Sequence, residues 1–212
     1  MKYIKEQSGG DFIVTIINAD QLIKDQTKFR KVINASQNIA NVTNQLVLVS
    51  VETKFPNPNL GYIKVGKKQR VEDDISIYQL DRFVEKPDIN NAKKYHRAKN
   101  YFWNTAIFTW KIDVFLSYLK QHSADIHTNL EMITDYKNCK DEYDKFPKIS
   151  IDYALLEKMH PEKLAVIPAD LGWSDVGTWK TMFDESPKDK YSNLVKGKFR
   201  YTNVRNSVLI NE

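Results

Sequence analysis

The sequence predicts an α/β protein built on an open, mixed and mostly parallel sheet, because its first segments alternate between buried strand and amphipathic helix. The run DFIVTIINAD, residues 11–20, is short, β-branched and polar at its end, as buried parallel strands are. Residues 21–40 place apolar side chains near helical spacing, and QLVLVSVE, residues 45–52, follows as another buried strand. This β-α-β order is typical of an open α/β sheet, whose ligands bind beyond the carboxyl ends of the strands.

Strand and helix patterns keep alternating through the rest of the chain. A loop with two prolines and a glycine, FPNPNLGYIK, leads into one strand, and ISIYQLDRFV, YFWNTAIFTW and KLAVIPA read as further strands. Helices are predicted at residues 88–100 with Asp88 as N-cap, 111–122, 124–137, 150–159 with Ser150 as cap, and 178–185. We expect residues 1–190 to form the α/β domain and residues 191–212, with short β stretches and turns, to begin a second, all-β element.

Composition excludes several classes of protein. The 212 residues are 42% hydrophobic, enough for a substantial core, and the single cysteine, Cys139, excludes an intramolecular disulfide and a multi-cysteine zinc site. The four histidines have no metal-ligand spacing, and no apolar run is long enough to cross a bilayer or resembles a signal peptide. We therefore expect a cytoplasmic protein without a membrane partner.

The charge pattern argues against a nucleic-acid partner. The 32 basic and 27 acidic residues give a net charge of +5, but lysines and acids are interleaved almost everywhere. The one dense basic patch, KKYHRAK at residues 93–99, reads as the outer face of a helix. A phosphorylated small molecule is the better-supported partner.

The stretch LGWSDVGTW, residues 171–179, places Asp175 between two tryptophans. Burying a carboxylate is costly unless it is hydrogen-bonded, paired with a cation or bound to a metal, so Asp175 is predicted to have such a partner. A simpler alternative is that Asp175 caps the helix that follows. We expect the four tryptophans, Trp103, Trp110, Trp173 and Trp179, to belong to the core rather than to stack on a base.

Other polar residues lie near the ends of predicted strands and helices, and each has a structural as well as a functional interpretation. Asp20 is placed to cap the helix of residues 21–40, and Glu85 and Lys86 to form an exposed ion pair of little energetic value. Asn104 is placed to satisfy backbone groups in a turn, and Asp152 to interact with a helix dipole.

Five segments in order, INADQLI, LGYI, FVEKP, YFWNTAIFTW with SIDYALLEK, and LGWSDVGTW, resemble the sugar-nucleotide pyrophosphorylases, and among them the mannose-1-phosphate guanylyltransferases that make GDP-mannose. VEKP alone is a weak signal, whereas WSDVGTW is fairly specific and the ordered set across residues 13–180 is strong. The resemblance implies a Rossmann-like nucleotidyltransferase fold, with residues from about 193 leading into the family's C-terminal β domain.

The resemblance also assigns roles to individual residues. Asp20 and Asp175 would hold Mg²⁺ and be catalytic together with Lys86, which would face the phosphate of the sugar. The sugar-binding residues it implies are Glu85 and Asn104 as hydrogen-bonding groups, Gly61 as a point of close backbone approach, and Asp152 as a secondary candidate. The substrates implied are mannose 1-phosphate and GTP.

This sequence departs from the family pattern in several places. Gln21 stands where a histidine usually follows the aspartate, Ala106 replaces a glycine after the sugar-contacting asparagine, and Asn59-Leu60 replaces Gly-Tyr before Gly61. The 212 residues contain no glycine-rich phosphate loop, and MKYIKEQSGG resembles the helix before the strand that bears Asp20. We therefore expect an N-terminally truncated nucleotidyltransferase domain that lacks its nucleotide-binding part and is inactive alone.

Three interpretations of the function stay open on the sequence. The first is guanylyl transfer from GTP to mannose 1-phosphate, and the second is the same chemistry with another hexose 1-phosphate and UTP or dTTP. The third is a non-catalytic homologue that binds a sugar phosphate or a partner subunit. Since loss of a β-α unit would expose a sheet edge, the isolated chain is also expected to associate, with a homo-oligomer as one form.

Overall fold

The computed structural model describes residue 10, residues 12–134 and residues 137–211. Residues 1–9, which the resemblance to the family places in a helix, lie outside this described part. The strands are β1 (Ile13–Ile16), β2 (Gln21–Leu22), β3 (Leu46–Glu52), β4 (Tyr62–Glu72), β5 (Ile75–Val84), β6 (Tyr101–Lys111), β7 (Leu164–Pro168), β8 (Ser174–Asp175), β9 (Leu194–Lys196) and β10 (Val208–Ile210). The helices are α1 (Gln26–Thr43), α2 (Ile89–Arg97), α3 (Ile112–His122), α4 (Ala124–Met132), α5 (Cys139–Tyr143), α6 (Ile151–Ala154) and α7 (Trp179–Glu185), with 3₁₀ turns at Leu156–Lys158 and Pro161–Lys163.

The predicted mixed α/β sheet is confirmed, and its strands follow the order β1-β6-β3-β7-β5-β4, with β4 also pairing with β6. β1, α1 and β3 form the predicted β-α-β unit, but β6 lies between the two strands and is antiparallel to both. The expectation of mostly parallel pairing is therefore wrong, because β3–β7 is the one parallel pair in the described part of this sheet. Strands β1, β3, β4 and β7 still share one direction, with β5 and β6 inserted between them.

The core lies on both faces of this sheet. Leu46 and Leu48 of β3 belong to a hydrophobic cluster with Phe108 and Trp110 of β6 and Phe115 of α3. Val47 and Val49 alternate with them, so they face the other side of the sheet, where α1 packs against β1, β3 and β6. Both faces of β3 are covered, which explains why the sequence of this strand is almost uniformly apolar.

Several predicted helices are present with changed limits. Asp88 caps α2 as expected, its Oδ1 accepting hydrogen bonds from the backbone N–H groups of Asn90 and Asn91. The helix predicted from residue 21 begins only at Gln26, because residues 21–22 form the short strand β2. The helix predicted at residues 150–159 is broken into α6 and a 3₁₀ turn, and residues 135–136 of the predicted helix 124–137 lie outside the described part.

The chain divides into two compact units. The larger unit takes in the chain up to Ile17 and Gln26–Leu171, and the smaller unit takes in Asn18–Asp25 and Gly172 onwards. Residues 18–25 join the smaller unit because β2 pairs with β8. These units do not divide the chain at residue 190, and the domain boundary expected there stays a prediction. No helix among the described residues is long and apolar enough to cross a membrane.

A hydrogen-bonded loop orders the end of the smaller unit. Asp189 accepts hydrogen bonds from the backbone N–H groups of Tyr191 and Asn193 at 2.9 and 2.8 Å and from the hydroxyl of Tyr201 at 2.5 Å. The Tyr201 hydroxyl is the largest of the interactions that lower the pKa of Asp189 to about 2. β9 lies between Asp189 and Tyr201 in the chain and pairs in parallel with β10. The β domain expected to begin after residue 191 stays a prediction.

The Asp189 loop generates the first testable prediction. Asp189→Asn should speed hydrogen exchange at the amides of Tyr191 and Asn193, because a neutral amide accepts hydrogen bonds less strongly than a carboxylate. Since the folded pKa lies below the unfolded one, the Asp189 contribution to stability is present above pH 4 and falls as pH drops from about 4 towards 2. Asp184→Asn, on an exposed helical ion pair with Lys180, is the matched control. Equal exchange in both variants would contradict the role of Asp189.

Candidate functional site

Four elements of the larger unit bring one cluster of predicted site residues together. Gly61 precedes β4, Glu85 and Lys86 follow β5, Asn104 lies within β6, and Asp152 lies in the first turn of α6. The backbone N–H of Asn104 donates to the carbonyl of Gly61 at 2.8 Å, and Asn104 Nδ2 donates to Asp152 Oδ1 at 3.3 Å. The structure therefore unites all five candidates that the sequence assigned to sugar phosphate binding.

A bulge in β6 presents the Asn104 side chain. Val49 pairs with Ile107 whereas its neighbour Ser50 pairs with Asn104, so two residues of β6 are left out of the register. Thr105 fixes the bulge by donating to the carbonyl of Val49 at 2.8 Å. Asn104 Oδ1 accepts a hydrogen bond from the backbone N–H of the next residue but one, so its expected role in a turn is also confirmed.

Ala106 completes this bulge in a conformation that favours glycine. Its φ is +55°, a left-handed conformation that costs a non-glycine residue about 1–2 kcal/mol. The resemblance noted from the sequence implies glycine at this position, where this conformation carries no such cost. Hydrogen bonds from the Thr105 hydroxyl to the Val49 carbonyl and from the Ala106 backbone N–H to Asn104 Oδ1 fix the bulge and the orientation of Asn104.

Gly61 is required by close approach. A Cβ added at this position would lie 2.5 Å from Glu85 Oε2 and 3.2 Å from Asn104 Cβ. Any larger residue would therefore displace the Glu85 carboxylate. This contact explains physically why glycine precedes β4.

The Glu85 carboxyl is held largely out of water. Its side chain is 10% exposed, and burial, followed by the charge of Asp152, raises its pKa to about 7, which the charge of Lys86 partly offsets. Burial also raises the pKa of Asp152, with the charge of Glu157 adding to the effect. Near neutral pH, Glu85 can therefore both donate and accept hydrogen bonds, which suits recognition of hydroxyl groups.

Lys86 faces solvent beside this buried carboxyl. Its side chain is 60% exposed, its Nζ lies 3.8 Å from Glu85 Oε1, and its φ is +44°. The interpretation of Glu85 and Lys86 as a fully exposed pair is wrong, because only the lysine is exposed. The cluster thus combines buried hydrogen-bonding groups with one accessible point cation.

Sequence reasoning missed Glu157 and Tyr153. Glu157 Oε1 accepts a hydrogen bond from the backbone N–H of Glu85 at 2.9 Å, and the hydroxyl of Tyr153 donates to the carbonyl of Glu85 at 3.5 Å. Both therefore hold the backbone at the left-handed turn that Lys86 makes. The sequence predicts that both residues lie on the surface of a helix. Only its contact with Glu85, which is 72 residues away in the chain, distinguishes Glu157.

The two predicted metal carboxylates lie in the smaller unit. Antiparallel pairing of β2 with β8 sets Gln21 opposite Asp175, so Asp20 is one residue from the paired position. Helix α1 begins at Gln26, and Thr178 caps α7, accepting a hydrogen bond from the backbone N–H of Thr181. Neither aspartate is therefore a helix cap, which excludes the simpler interpretation of both.

Asp175 is less buried than its two flanking tryptophans suggested. Trp173 is 4% exposed and donates from Nε1 to Gln21 Oε1 at 3.1 Å, but Trp179 is 68% exposed. The expectation that all four tryptophans are core residues is confirmed for three and wrong for Trp179, which starts an exposed helix. The Asp175 carboxylate is half-buried and accepts a hydrogen bond from the backbone N–H of Gly177 at 3.1 Å.

The donor set of Asp20 and Asp175 fits magnesium. Mg²⁺ is commonly held by one or two carboxylates, with waters and substrate phosphate oxygens completing its octahedron. Asp20 is exposed, and the hydrogen bond of Asp175 engages only Oδ1, so oxygens of both residues remain available as ligands. Among the described residues no group of three or more histidine, cysteine, aspartate or glutamate side chains is arranged to enclose a metal by itself.

Comparisons with known proteins bear on the family of the chain and on its fold. The model of the nucleotidyl transferase family matches residues 1–192. The alginate biosynthesis protein AlgA of Pseudomonas syringae pv. tomato is 31% identical over 99% of this chain and 44% of its own length. Mannose-1-phosphate guanylyltransferase 2 of Escherichia coli O157:H7 is 29% identical over 99% of this chain and 45% of its own length.

Solved structures agree on the fold. The crystal structure of a protein named mannose-1-phosphate geranyltransferase, from Thermus thermophilus, superposes with a TM-score of 0.78 at 26% identity, over 92% of this chain and 55% of that one. A mannose-6-phosphate isomerase structure from Helicobacter pylori gives a TM-score of 0.65 at 23% identity, over 77% of this chain and 64% of that one, and supports the fold alone. This chain spans less than half the length of the curated relatives named above.

The raised pKa of Glu85 leads to a second prediction. Because the folded pKa is above the unfolded one, Glu85 lowers stability as pH rises from about 4.5 to about 7. Glu85→Gln should remove this loss and stabilise the protein at pH 8 by about 1–2 kcal/mol, with little effect at pH 4. Urea unfolding at both pH values measures the difference, with the exposed Glu52→Gln as control. An equal pH dependence in wild type and Glu85→Gln would contradict the assigned environment.

Glu157 supplies a third prediction. Glu157→Ala leaves the backbone N–H of Glu85 without its acceptor and should destabilise the protein by about 1–2 kcal/mol. Glu157→Gln keeps an acceptor and should recover most of that loss, while lowering the pKa of Glu85 by removing a neighbouring charge. The two variants are compared by urea unfolding and by NMR titration of the Glu85 carboxyl. Equal stability of the alanine and glutamine variants would show that the hydrogen bond has no role.

Proposed function

The chain belongs to the nucleotidyl transferase family, and we propose that it takes part in guanylyl transfer from GTP to mannose 1-phosphate, which yields GDP-mannose and pyrophosphate. The observation that carries this proposal is the cluster in which Gly61, Glu85, Asn104 and Asp152 converge beside the exposed cation of Lys86. The names of the relatives from Escherichia coli and Salmonella typhimurium support the choice of mannose 1-phosphate.

The sugar ring would be bound by hydrogen-bonding groups that differ in character. Glu85 and Asp152 offer carboxyl oxygens to sugar hydroxyls, and Asn104 contributes an amide whose orientation the bulge fixes. Gly61 leaves room for the ring to approach the backbone. The Lys86 ammonium group, which faces solvent, would pair with the phosphate as a point charge, so a sugar without a phosphate would bind less tightly.

Asp20 and Asp175 would hold a Mg²⁺ ion, whose role when bound is to neutralise the charge of the nucleotide phosphates. Gly177 orients Asp175 by donating a backbone hydrogen bond to Oδ1. Gln21 replaces the usual histidine and supports the same loop by accepting the hydrogen bond of the Trp173 indole. The Asp175 carboxylate is thereby held by a local contact of the smaller unit, and Asp20 is adjacent to Gln21, which pairs with Asp175.

The proposed reaction requires no protein nucleophile. An oxygen of the sugar phosphate attacks the α-phosphorus of GTP, a new phosphorus–oxygen bond forms, and the bond to the bridging oxygen of the β-phosphate breaks to release pyrophosphate. Lys86 would align the attacking phosphate and offset its charge, so catalysis rests on orientation and electrostatics. A cytoplasmic location, with its supply of nucleotide and sugar phosphate, is part of this proposal.

A fourth prediction tests the function. Pyrophosphate release from mannose 1-phosphate and GTP with Mg²⁺ is measured for the intact protein that contains these 212 residues. We expect activity in the intact protein, and a loss of about 100-fold or more on Asp175→Asn with retained fold. Asp184→Asn, an exposed carboxylate of the same unit, should leave the rate unchanged.

Replacement of the substrates separates the rival functions. Faster turnover with UTP or dTTP and glucose 1-phosphate would assign the chain to another sugar nucleotide. A folded intact protein that binds mannose 1-phosphate without turnover of any of these pairs would favour a non-catalytic role. Wild-type rates in Asp175→Asn would contradict the metal assignment.

A further inference from the structure

A basic groove lies in the larger unit outside the cluster described above. Its volume is about 720 Å³, within the range of small-molecule sites. The groove is lined by polar and charged residues, namely Thr43, Asn44, Gln45, Lys67, Lys68, Gln69, Arg70, Gln79, Tyr118, Glu162 and Lys163. The lining includes four basic residues, Lys67, Lys68, Arg70 and Lys163, and one acidic residue, Glu162, so its formal charge is +3.

The cations of this groove have no anionic partner within the described part of the chain. Lys67, Lys68, Arg70 and Lys163 are exposed, and none of their side chains forms an ion pair or a hydrogen bond there. Like charges repel one another when they are gathered in one concavity, so a bound anion would stabilise this arrangement.

The groove is separate from the proposed sugar site. Gln45 and Lys163 directly precede β3 and β7, so the groove lies at the amino ends of these two parallel strands. Asn104 pairs with Ser50, near the carboxyl end of β3. The five residue-to-residue steps from Gln45 to Ser50 span roughly 17 Å along the strand. One small ligand therefore cannot bind in the groove and at the sugar site at the same time.

The chemistry of the lining indicates the class of ligand. Clustered lysines and an arginine bind phosphate groups, and the formal charge of +3 in the lining exceeds the two negative charges of one phosphate group. The amides of Asn44, Gln69 and Gln79 add donors and acceptors for hydroxyl groups. We propose that this groove is a second binding site, specific for a small molecule that carries two phosphate groups or a diphosphate.

Isothermal titration calorimetry with inorganic pyrophosphate, without divalent metal, tests the proposal on the 212-residue chain. The titrations are run in the Lys86→Gln background so that the proposed sugar phosphate site does not contribute. We expect one saturable site that binds pyrophosphate more tightly than inorganic phosphate. The double variant Lys68→Gln/Arg70→Gln should weaken binding by about 10-fold or more. Lys93→Gln/Lys99→Gln, which removes the same charge from exposed positions outside the groove, should change it less than about twofold.

Each other outcome would overturn the proposal. Absence of saturable binding at millimolar pyrophosphate, or equal weakening by the two double variants, would show that the groove has only a diffuse positive field. Tighter binding of a single-stranded oligonucleotide through Lys68 and Arg70 would assign the groove to a polyanion instead. Because no substrate turnover enters this test, its result is independent of whether the chain transfers a guanylyl group.

Discussion

The gathering of three carboxyl groups beside one solvent-facing lysine is the constraint on which the larger unit depends. Burial is the main cause that raises the pKa of Glu85 to about 7, and the nearby charges of Asp152 and Glu157 raise it further. The charge of Lys86 offsets only part of this rise. Such an arrangement costs stability, because burial and repulsion both disfavour the charged forms. The fold maintains it through hydrogen bonds from Asn104 to Asp152 and from the Glu85 backbone to Glu157.

The rest of the local structure follows from holding these groups in place. The bulge of β6 turns Asn104 towards Asp152, and the close contact at Gly61 admits no side chain beside Glu85. Left-handed backbone at Lys86 and Ala106, costly for non-glycine residues, occurs at both edges of the cluster. Left-handed backbone also occurs at residues outside the cluster, such as Asn44, Asp73 and Asn203, so the convergence of the polar groups, and not the strain, supports the proposal of sugar recognition.

The sequence predicted which segments form strands and helices better than it predicted which strands lie side by side in the sheet. Alternating and continuous apolar runs indicated β1, β3 and β6, and the Asp88 cap was confirmed in detail. The insertion of β6 between β1 and β3 was not predicted, because apolar patterns indicate which faces are buried but not which strands pair. β2 was missed for the same reason, since its two residues pair with the distant segment Ser174–Asp175.

The site was predictable to the extent that it lies in recognisable motifs. Gly61, Glu85, Lys86, Asn104 and Asp152 belong to segments that resemble a known family, and the structure brings them together. Glu157 lies in the segment SIDYALLEK, but neither its role nor the unpaired cations of the basic groove could be predicted from a motif. Only tertiary contacts, or their absence among the described residues, distinguish these residues from ordinary surface charges. The exposure of Trp179 likewise depends on what packs against it, which a single sequence does not state.

Calorimetric titration of mannose 1-phosphate into the 212-residue chain and into its Gly61→Ala variant would test the central claim most directly. A Cβ at residue 61 would meet the Glu85 carboxylate at 2.5 Å and displace it, while the exposed basic groove is untouched. The account predicts one saturable site in the wild type and binding weaker by about 10-fold or more in Gly61→Ala, with unfolding temperatures that stay close. Equal affinities of the two proteins, or no binding by a folded wild type, would contradict it.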